Sequence, residues 1–425
     1  MDLPEVVLVN VLARFPLKSI ARFRLISKEL KSLIDSNFFR NYYISFNSSS
    51  SVSWSIIQTK PHKLSLEIVG HHGCNTWGLT RSPGSYLSFF VETTISKLLV
   101  LACTDGLVLI YAEEARDGSP LYYIGNPLFQ EWVRIPLPSF LSLQELEKLR
   151  KSERFTDTGL VTKMKNGILV SYKIVWMLRP DVSSSMLDFM IYSSETGIWK
   201  TENVPCTCLC PTTWSRHDKS IALNGILHWL SQASTASDAS SVVAYDFYGG
   251  RDGDECCVIR FPAKDDELRR FRRTFTTSEG SIVYFNEFHD NGNHTFRVWK
   301  LVNYINGPEA AWQLSWEINL ESVMKLGTDY FPVVMHPLKS EIIYLWSRTK
   351  KGLVLFNLRT HVFSLHKETA YDNECVDGCI LSFNSCRVYM EEIYIQMHQA
   401  LPNHLFFSQY VLPRWFYRLP RPLST

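Results

Sequence analysis

The sequence predicts a mostly β protein with a small α-helical domain at its N-terminus: three short helices, then a β-propeller-like domain of six or seven four-stranded blades. Three observations carry this reading. Apolar residues recur at helical spacing up to about Phe39, alternate at strand spacing beyond the serine run Ser48 to Ser51, and group into a long repeat.

The helices come first. Leu8, Val11, Leu12 and Phe15 fall at i, i+3, i+4 and i+7, which predicts one apolar face on a helix starting at Pro4. Proline suits a first turn because its missing N–H has no partner there, and Glu5 meets the positive end of the helix dipole. Pro16 ends the run. Ile20 and Phe23, then Leu30, Leu33 and Ile34, resume the spacing and predict two more helices. From Arg14 to Lys31 the segment also carries Lys18, Arg22, Arg24 and Lys28 against the single acid Glu29, so one face is basic. About forty residues bury too little surface to be comfortable alone. Their apolar faces need a partner, either the rest of the chain or another protein.

The expected boundaries are a helical domain over 1–45, a Ser-rich linker over 46–53 and a β-domain over 54–425. Runs such as SWSIIQT, KLSLEIV, SYLSFFVE, KLLVLACT and GLVLIYAE predict strands. Beyond the linker only Ser142 to Ser152, SLQELEKLRKS, reads as a helix. Turns before a strong strand line up at Gly106, Gly167, Gly225, Gly280 and Ser340, 61, 58, 55 and 60 residues apart. A second unit, a strand, a polar turn and an aromatic strand, follows at IGNPLFQEWVRIP, IYSSETGIWKTENVP and LFNLRTHVFSLH. Two hairpins per period make a four-stranded sheet, and sheets stacked radially protect most of their edges. Two packed β-sandwiches are the structural alternative. The aromatic tail VLPRWFYRLPRPL, Val411 to Leu423, reads as a closing strand.

Composition bounds the function. The chain has 425 residues, 45% hydrophobic, with a net charge of +2, so no global field favours nucleic acid or an anionic membrane. The opening Met1-Asp2-Leu3-Pro4 has no secretory pattern, and no apolar run suggests a membrane span. The ten cysteines are then expected as reduced thiols in a cytoplasmic or nuclear protein. Cys206, Cys208 and Cys210 alternate too closely for a zinc knuckle, and Cys375 and Cys379 have no nearby histidine pair, so no metal or cofactor is expected. His228 lies in an apolar strand and reads as a packed, hydrogen-bonded side chain. Arg269, Arg270, Arg272 and Arg273 follow an acidic run and read as a solvated loop. No nucleophile elbow, P-loop or H-E-x-x-H motif is present, so no catalytic residue is assigned.

The first stretch resembles an F-box of the plant type: Leu3-Pro4, Val11-Leu12, Phe15-Pro16-Leu17-Lys18-Ser19 and Arg22-Phe23-Arg24 fall in the family's order. The rest is similar to the F-box-associated, kelch-like region, through LNGILHWL at Leu223, VVAYDF at Val242 and YSSETGIW at Tyr192. Where the family usually has Val-Cys-Lys-x-Trp, this chain has Ile26-Ser27-Lys28-Glu29-Leu30. The resemblance implies a non-catalytic substrate receptor of an SCF-type ubiquitin ligase. Leu3, Pro4, Leu8, Val11, Leu12, Leu17 and Ile20 would meet a Skp-type adaptor held by a cullin, with Arg14, Lys18 and Lys28 at the rim. The β-domain would hold a target protein. The alternative is a propeller enzyme or small-ligand binder whose N-terminal helices are a packed cap.

Overall fold

The computed structural model describes residues 4–48, 52–59, 65–71, 76–89, 95–142, 144–145, 158–178, 186–206, 220–231, 241–249, 255–261, 272–290, 293–302, 311–319, 330–347, 349–365 and 407–421. Four helices open the chain, one more than the spacing predicts. They are α1 (Glu5–Leu12), α2 (Leu17–Phe23), α3 (Lys28–Asp35) and α4 (Asn37–Phe46). Pro4 and Pro16 immediately precede the first two. Ser27 and Ser36 cap the others, their hydroxyls accepting from Leu30 N at 3.2 Å and Phe39 N at 3.1 Å. Such caps are worth about 1 kcal/mol each.

The β-domain has twenty-three described strands. Its N-terminal part gives β1 (Trp54–Thr59) and β2 (Ser65–His71), then a 3₁₀ segment at Pro83–Phe89 in place of the strand expected from SYLSFFVE. Next come β3 (Ile95–Thr104), β4 (Leu107–Glu114), β5 (Pro120–Asn126) and β6 (Glu131–Ile135), then β7 (Thr158–Lys165), β8 (Ile168–Leu178), β9 (Met186–Ser193) and β10 (Trp199–Pro205). They are followed by β11 (Ile221–Leu223), β12 (Ile226–Ser231), β13 (Ser241–Asp246) and β14 (Cys257–Arg260), and by β15 (Arg272–Ser278), β16 (Ser281–Asp290), β17 (Asn293–Val302) and β18 (Ala311–Asn319). The last are β19 (Tyr330–Met335), β20 (Ile342–Ser347), β21 (Gly352–Asn357), β22 (Val362–Leu365) and β23 (Ser408–Val411).

They pair as six sheets, so the six-bladed propeller holds and paired sandwiches do not. Five blades, I to V, are antiparallel meanders of four strands, β3 to β6 through β19 to β22. Blade VI has the order β2-β1-β23, with Trp54 opposite Val411 and Ile57 opposite Ser408, so strands from the two ends of the chain close the ring. The repeated glycines sit in the turns joining the first and second strands of blades I to IV. Asn166 (φ 52°) precedes Gly167 (φ 72°), and Asn224 (φ 53°) precedes Gly225 (φ 83°). Two successive positive φ values make the tight hairpin turn whose twist matches the strands it joins, and Asn-Gly adopts it at least cost.

The core is divided by the blades. Separate apolar clusters fill the gaps between I and II, II and III, III and IV, IV and V, and V and VI. The sixth gap, the closure seam between VI and I, is filled differently. Val9, Leu12, Leu17, Ile20, Ile34, Phe39 and Tyr43 of the helices share one cluster there with Ile57, Val100, Ile110, Tyr410 and Trp415.

Of the predicted helix at 142–152 only its start is described. Ser142 N and Oγ donate to Glu145 Oε2 at 2.8 and 2.7 Å, and Glu145 N donates back to Ser142 Oγ at 3.3 Å, a capping arrangement. The remainder lies outside the described residues. No helix among the described residues is long and apolar enough to cross a membrane.

Candidate functional site

The helices are held to the propeller by the residues after the closing strand. Beyond β23, Leu412 N donates to Ser53 O at 3.1 Å, and Trp77 Nε1 donates to Pro413 O at 2.8 Å. Trp415 is then buried edge-on against Phe39, centroids 5.9 Å apart, and Tyr43, 5.2 Å apart. Tyr417 OH donates to Asp105 O, and Leu419 N to Glu131 Oε2 at 3.3 Å. The tail from Val411 to Leu423 was expected as the closing strand; only Val411 belongs to it, and residues 412–421 run on as a non-strand bracket under α4. Further ties are Leu17 N to Thr76 O at 2.7 Å, Tyr43 OH to Thr76 O at 3.2 Å, Arg40 to Asn166 O at 3.3 Å and Arg414 to Ser48 O at 2.8 Å.

This seat decides which apolar helix residues remain outside. Leu3 lies outside the described residues. Pro4, Val11 and Lys28 are exposed, and Leu8 is half-buried. Leu12, Leu17 and Ile20, expected on the partner-facing side, are instead buried in the closure seam, the last two completely. Periodicity identified them as apolar but not which surface would cover them. The predicted face of Leu8, Val11, Leu12 and Phe15 is likewise split: Val9, Leu12 and Ala13 point inward, while Val11 and Phe15 point out.

The exposed set includes residues that spacing did not select. Val6 is 69% exposed, Leu25 84% and Ile26 68%, with Val7, Val11 and Phe15 also open to solvent. Their signal was present: α1 reads EVVLVNVL, apolar almost all round, and Leu25-Ile26 is an apolar pair between two helices. Arg14, Lys18, Arg22, Lys28 and Lys31 lie in the same helical segment and are exposed. Arg24 is committed elsewhere, its Nη2 on Asp35 Oδ2 at 2.9 Å, tying the end of α2 to the end of α3.

The second place to look is the propeller's centre. A cavity of ≈ 60 Å³ lies among the inner strands, lined by Cys103, Leu160, Ser220, Ile221, Thr276 and Gln409 among others. That is room for only a few waters. Gln409 Nε2 donates to Thr276 Oγ1 at 3.0 Å, Thr277 O at 2.9 Å and Met335 O at 3.2 Å, so β23 is stitched to blades IV and V across the channel. Among the described lining residues there is no carboxylate or imidazole.

Ionisable groups buried elsewhere have structural partners. His228 Nδ1–H donates to Ile221 O at 3.2 Å, and burial pulls the imidazole down to about 4, so it is neutral, as the apolar strand predicts. Burial raises the Glu67 carboxyl, which accepts from Ser55 Oγ and, at 2.7 Å, Ser82 Oγ; this pins the 3₁₀ segment to blade VI. Cys206 is buried and unbridged, and no cluster of metal-ligating side chains occurs among the described residues. Cys208, Cys210, Cys375, Cys379, Arg269 and Arg270 lie outside the described residues; Arg272 and Arg273 begin β15.

A helical unit seated on a six-bladed propeller is matched by two family models. The F-box domain model covers residues 1–42, and the model described as F-box protein At3g26010-like, beta-propeller covers residues 52–421. The chain belongs to the F-box protein family. Two Arabidopsis thaliana relatives resemble this F-box protein over nearly their whole length. Putative F-box protein At3g23970 is 62% identical over 425 residues (99% of each chain), and putative F-box protein At3g23950 is 64% identical over 427 residues (99% of each chain). A more distant one, putative F-box/kelch-repeat protein At1g15680 of the same plant, is 33% identical over 432 residues (100% of this chain and 96% of the other). Within this F-box the departures from the usual pattern have structural roles. Ser27 caps α3, and Leu30 packs partly buried against the closure-seam cluster.

Proposed function

We propose that this F-box protein is the substrate receptor of an SCF-type ubiquitin ligase: its helices dock on a Skp-type adaptor held by a cullin, and its propeller recruits a target protein for ubiquitination in the cytoplasm or nucleus. The observation that carries the reading is the exposed apolar side chains of the F-box, Val7, Val11, Phe15, Leu25 and Ile26, in a segment whose exposed charges are mostly lysine and arginine. Pro4 and Leu8 extend this set, and Leu3 precedes it. Apolar anchors of this kind supply most of the affinity of an interface, and rim charges chiefly speed encounter with an acidic partner. Leu12, Leu17 and Ile20 support the docking surface from beneath.

The chain itself catalyses nothing in this reading. Transfer is accelerated by holding a target beside a conjugating enzyme, which converts a bimolecular encounter into a local one. The bracket under α4 suits that task, because a receptor that joins its two ends rigidly fixes the span over which transfer must occur. A small-molecule role for the channel is less favoured, since its space is ≈ 60 Å³ and its described lining is neutral.

Titration of the intact protein with a purified Skp-type adaptor tests the reading. Micromolar or tighter binding is expected, and V7D/V11D abolishes it while leaving the melting temperature within a degree or two, because both positions are exposed. A folded wild-type protein that binds no member of the adaptor family refutes it.

A further inference from the structure

Helix α4 buries one apolar stripe and leaves most of an adjoining one in solvent. Phe39 and Tyr43 pack inward on Trp415. Next to them, on the adjoining side of the helix, come Phe38, Tyr42 and Phe46 at i, i+4 and i+8, one above the other, while Asn37, Asn41 and Ser45 face away from the fold and are exposed. Their rings are stacked, Phe38 on Tyr42 at 6.5 Å and 27°, and Tyr42 on Phe46 at 6.1 Å and 20°. Phe38 is 61% exposed and Phe46 46%. A surface helix normally solvates its outer face with charge. The only charged residue of α4, NFFRNYYISF, is Arg40, and it is buried, bonded to Asn166 O and the Asn37 side chain.

The ladder is continuous with the exposed side of α1. Tyr42 OH donates to Asn10 Oδ1, and Asn47 Nδ2 donates to Ala13 O at 3.1 Å. These two bonds join α4 to α1 at Tyr42 and at Asn47. Val6 and Val7, in the α1 turn before Asn10, are exposed, as are Phe38 and Phe46 one turn before and one turn after Tyr42.

We infer that the adaptor-docking surface runs from α1 onto this ladder, so that the same Skp-type adaptor covers Phe38, Tyr42 and Phe46. The inference rests on the adaptor reading above. Continuity with α1 selects the occupant: an adaptor seated on Val7 and Val11 reaches the rings without crossing a charged side chain of α4. The stacking also matters. Rings already held against each other lose little freedom on binding, which favours them as affinity anchors.

The test uses the full chain and a purified Skp-type adaptor, with F38S/F46S compared to wild type by calorimetry and by dissociation rate. Both positions are exposed, so an unchanged melting temperature is expected together with at least tenfold weaker binding, expressed mainly as faster dissociation. Hydroxyl-radical footprinting of the wild-type complex is a second readout that needs no variant; Phe38, Tyr42 and Phe46 should be protected by the adaptor. Wild-type affinity in F38S/F46S, or unprotected rings in the complex, overturns the inference and leaves the adaptor reading standing. Absence of any adaptor binding by wild type overturns both. Self-association in sedimentation that F38S/F46S dissolves, with adaptor affinity unchanged, overturns it in favour of a second copy of this chain.

Discussion

Replacing Trp415 with alanine should loosen the F-box while sparing most of the propeller. The indole is buried and contacts Phe39 at 5.9 Å, Tyr43 at 5.2 Å and Phe416 at 4.6 Å, all in the closure-seam cluster. Truncating a buried Trp costs about 3–5 kcal/mol, the range set by how far the site collapses. The other five clusters contain no helix residue and no part of Trp415, so the loss falls on the opening of the helices rather than on the ring. Each 1.4 kcal/mol is a factor of about ten, so backbone amides of α1 to α4 should exchange with solvent roughly two to three orders of magnitude faster. Those of β8, β12 and β16 should be nearly unchanged. Native-state hydrogen exchange read by mass spectrometry measures both groups in one sample. Equal acceleration throughout would mean that helices and propeller unfold as one unit, and unchanged helix amides would mean that Trp415 is not their seat; either refutes the reasoning.

Three further outcomes follow from the burial pattern and the ionisable groups. L12D should lower the melting temperature by several degrees as well as weaken adaptor binding, because it places an unpaired charge in the seam, whereas V7D/V11D loses binding alone. Q409A should cost about 1–3 kcal/mol in chemical denaturation, since Thr276 Oγ1 and two carbonyls lose their donor. His228 has a folded pKa of about 4, below the ordinary 6.5 of the unfolded chain, so the unfolded state binds the proton first as pH falls. Its contribution is full above pH 6.5 and is lost progressively down to about pH 4, about 1 kcal/mol at pH 5.5. Burial raises the Glu67 and Asp105 carboxyls and works in the opposite sense, so the measurement is the difference between wild type and H228Q across that range, which should shrink toward acid pH.

Local chemistry made the repeating part legible. The turns Asp105-Gly106, Asn166-Gly167, Asn224-Gly225 and Glu279-Gly280 announce hairpins because glycine takes the second positive φ at little cost, and they recur once in each of blades I to IV. Helix α4 was missed although Ser36 signals its start, because a run such as NFFRNYYISF, rich in aromatic residues, reads as strand-like when local pattern is all there is. SYLSFFVE was misread for the same reason: its described part, Ser85 to Phe89, lies in a 3₁₀ segment. The family resemblance implied Leu12, Leu17 and Ile20 as docking residues, whereas in the fold all three are buried; neither the resemblance nor the spacing reports what covers an apolar helix face. The three share one cluster with residues of the other helices and with Ile57, Val100, Tyr410 and Trp415, the last of them some four hundred residues away in sequence, and no local pattern connects the two ends. The exposed Leu25-Ile26 pair was legible in retrospect, since a loop that ends a helix has no structural need for two large apolar side chains.

Closure by β23 has a consequence for synthesis. The ribosome releases α1 to α4 and β1 first, yet their neighbours in the seam, Tyr410, Leu412 and Trp415, emerge last. Until then blade VI lacks its inner strand and the F-box lacks its seat, so nascent helices wait with both apolar faces open. Such an interval invites chaperones and premature pairing. A chain truncated before Ser408 would carry every residue of the docking surface but no rigid frame to aim it. Emergence of β23 and Trp415 thus decides when the helices of this F-box protein can take their place on the propeller.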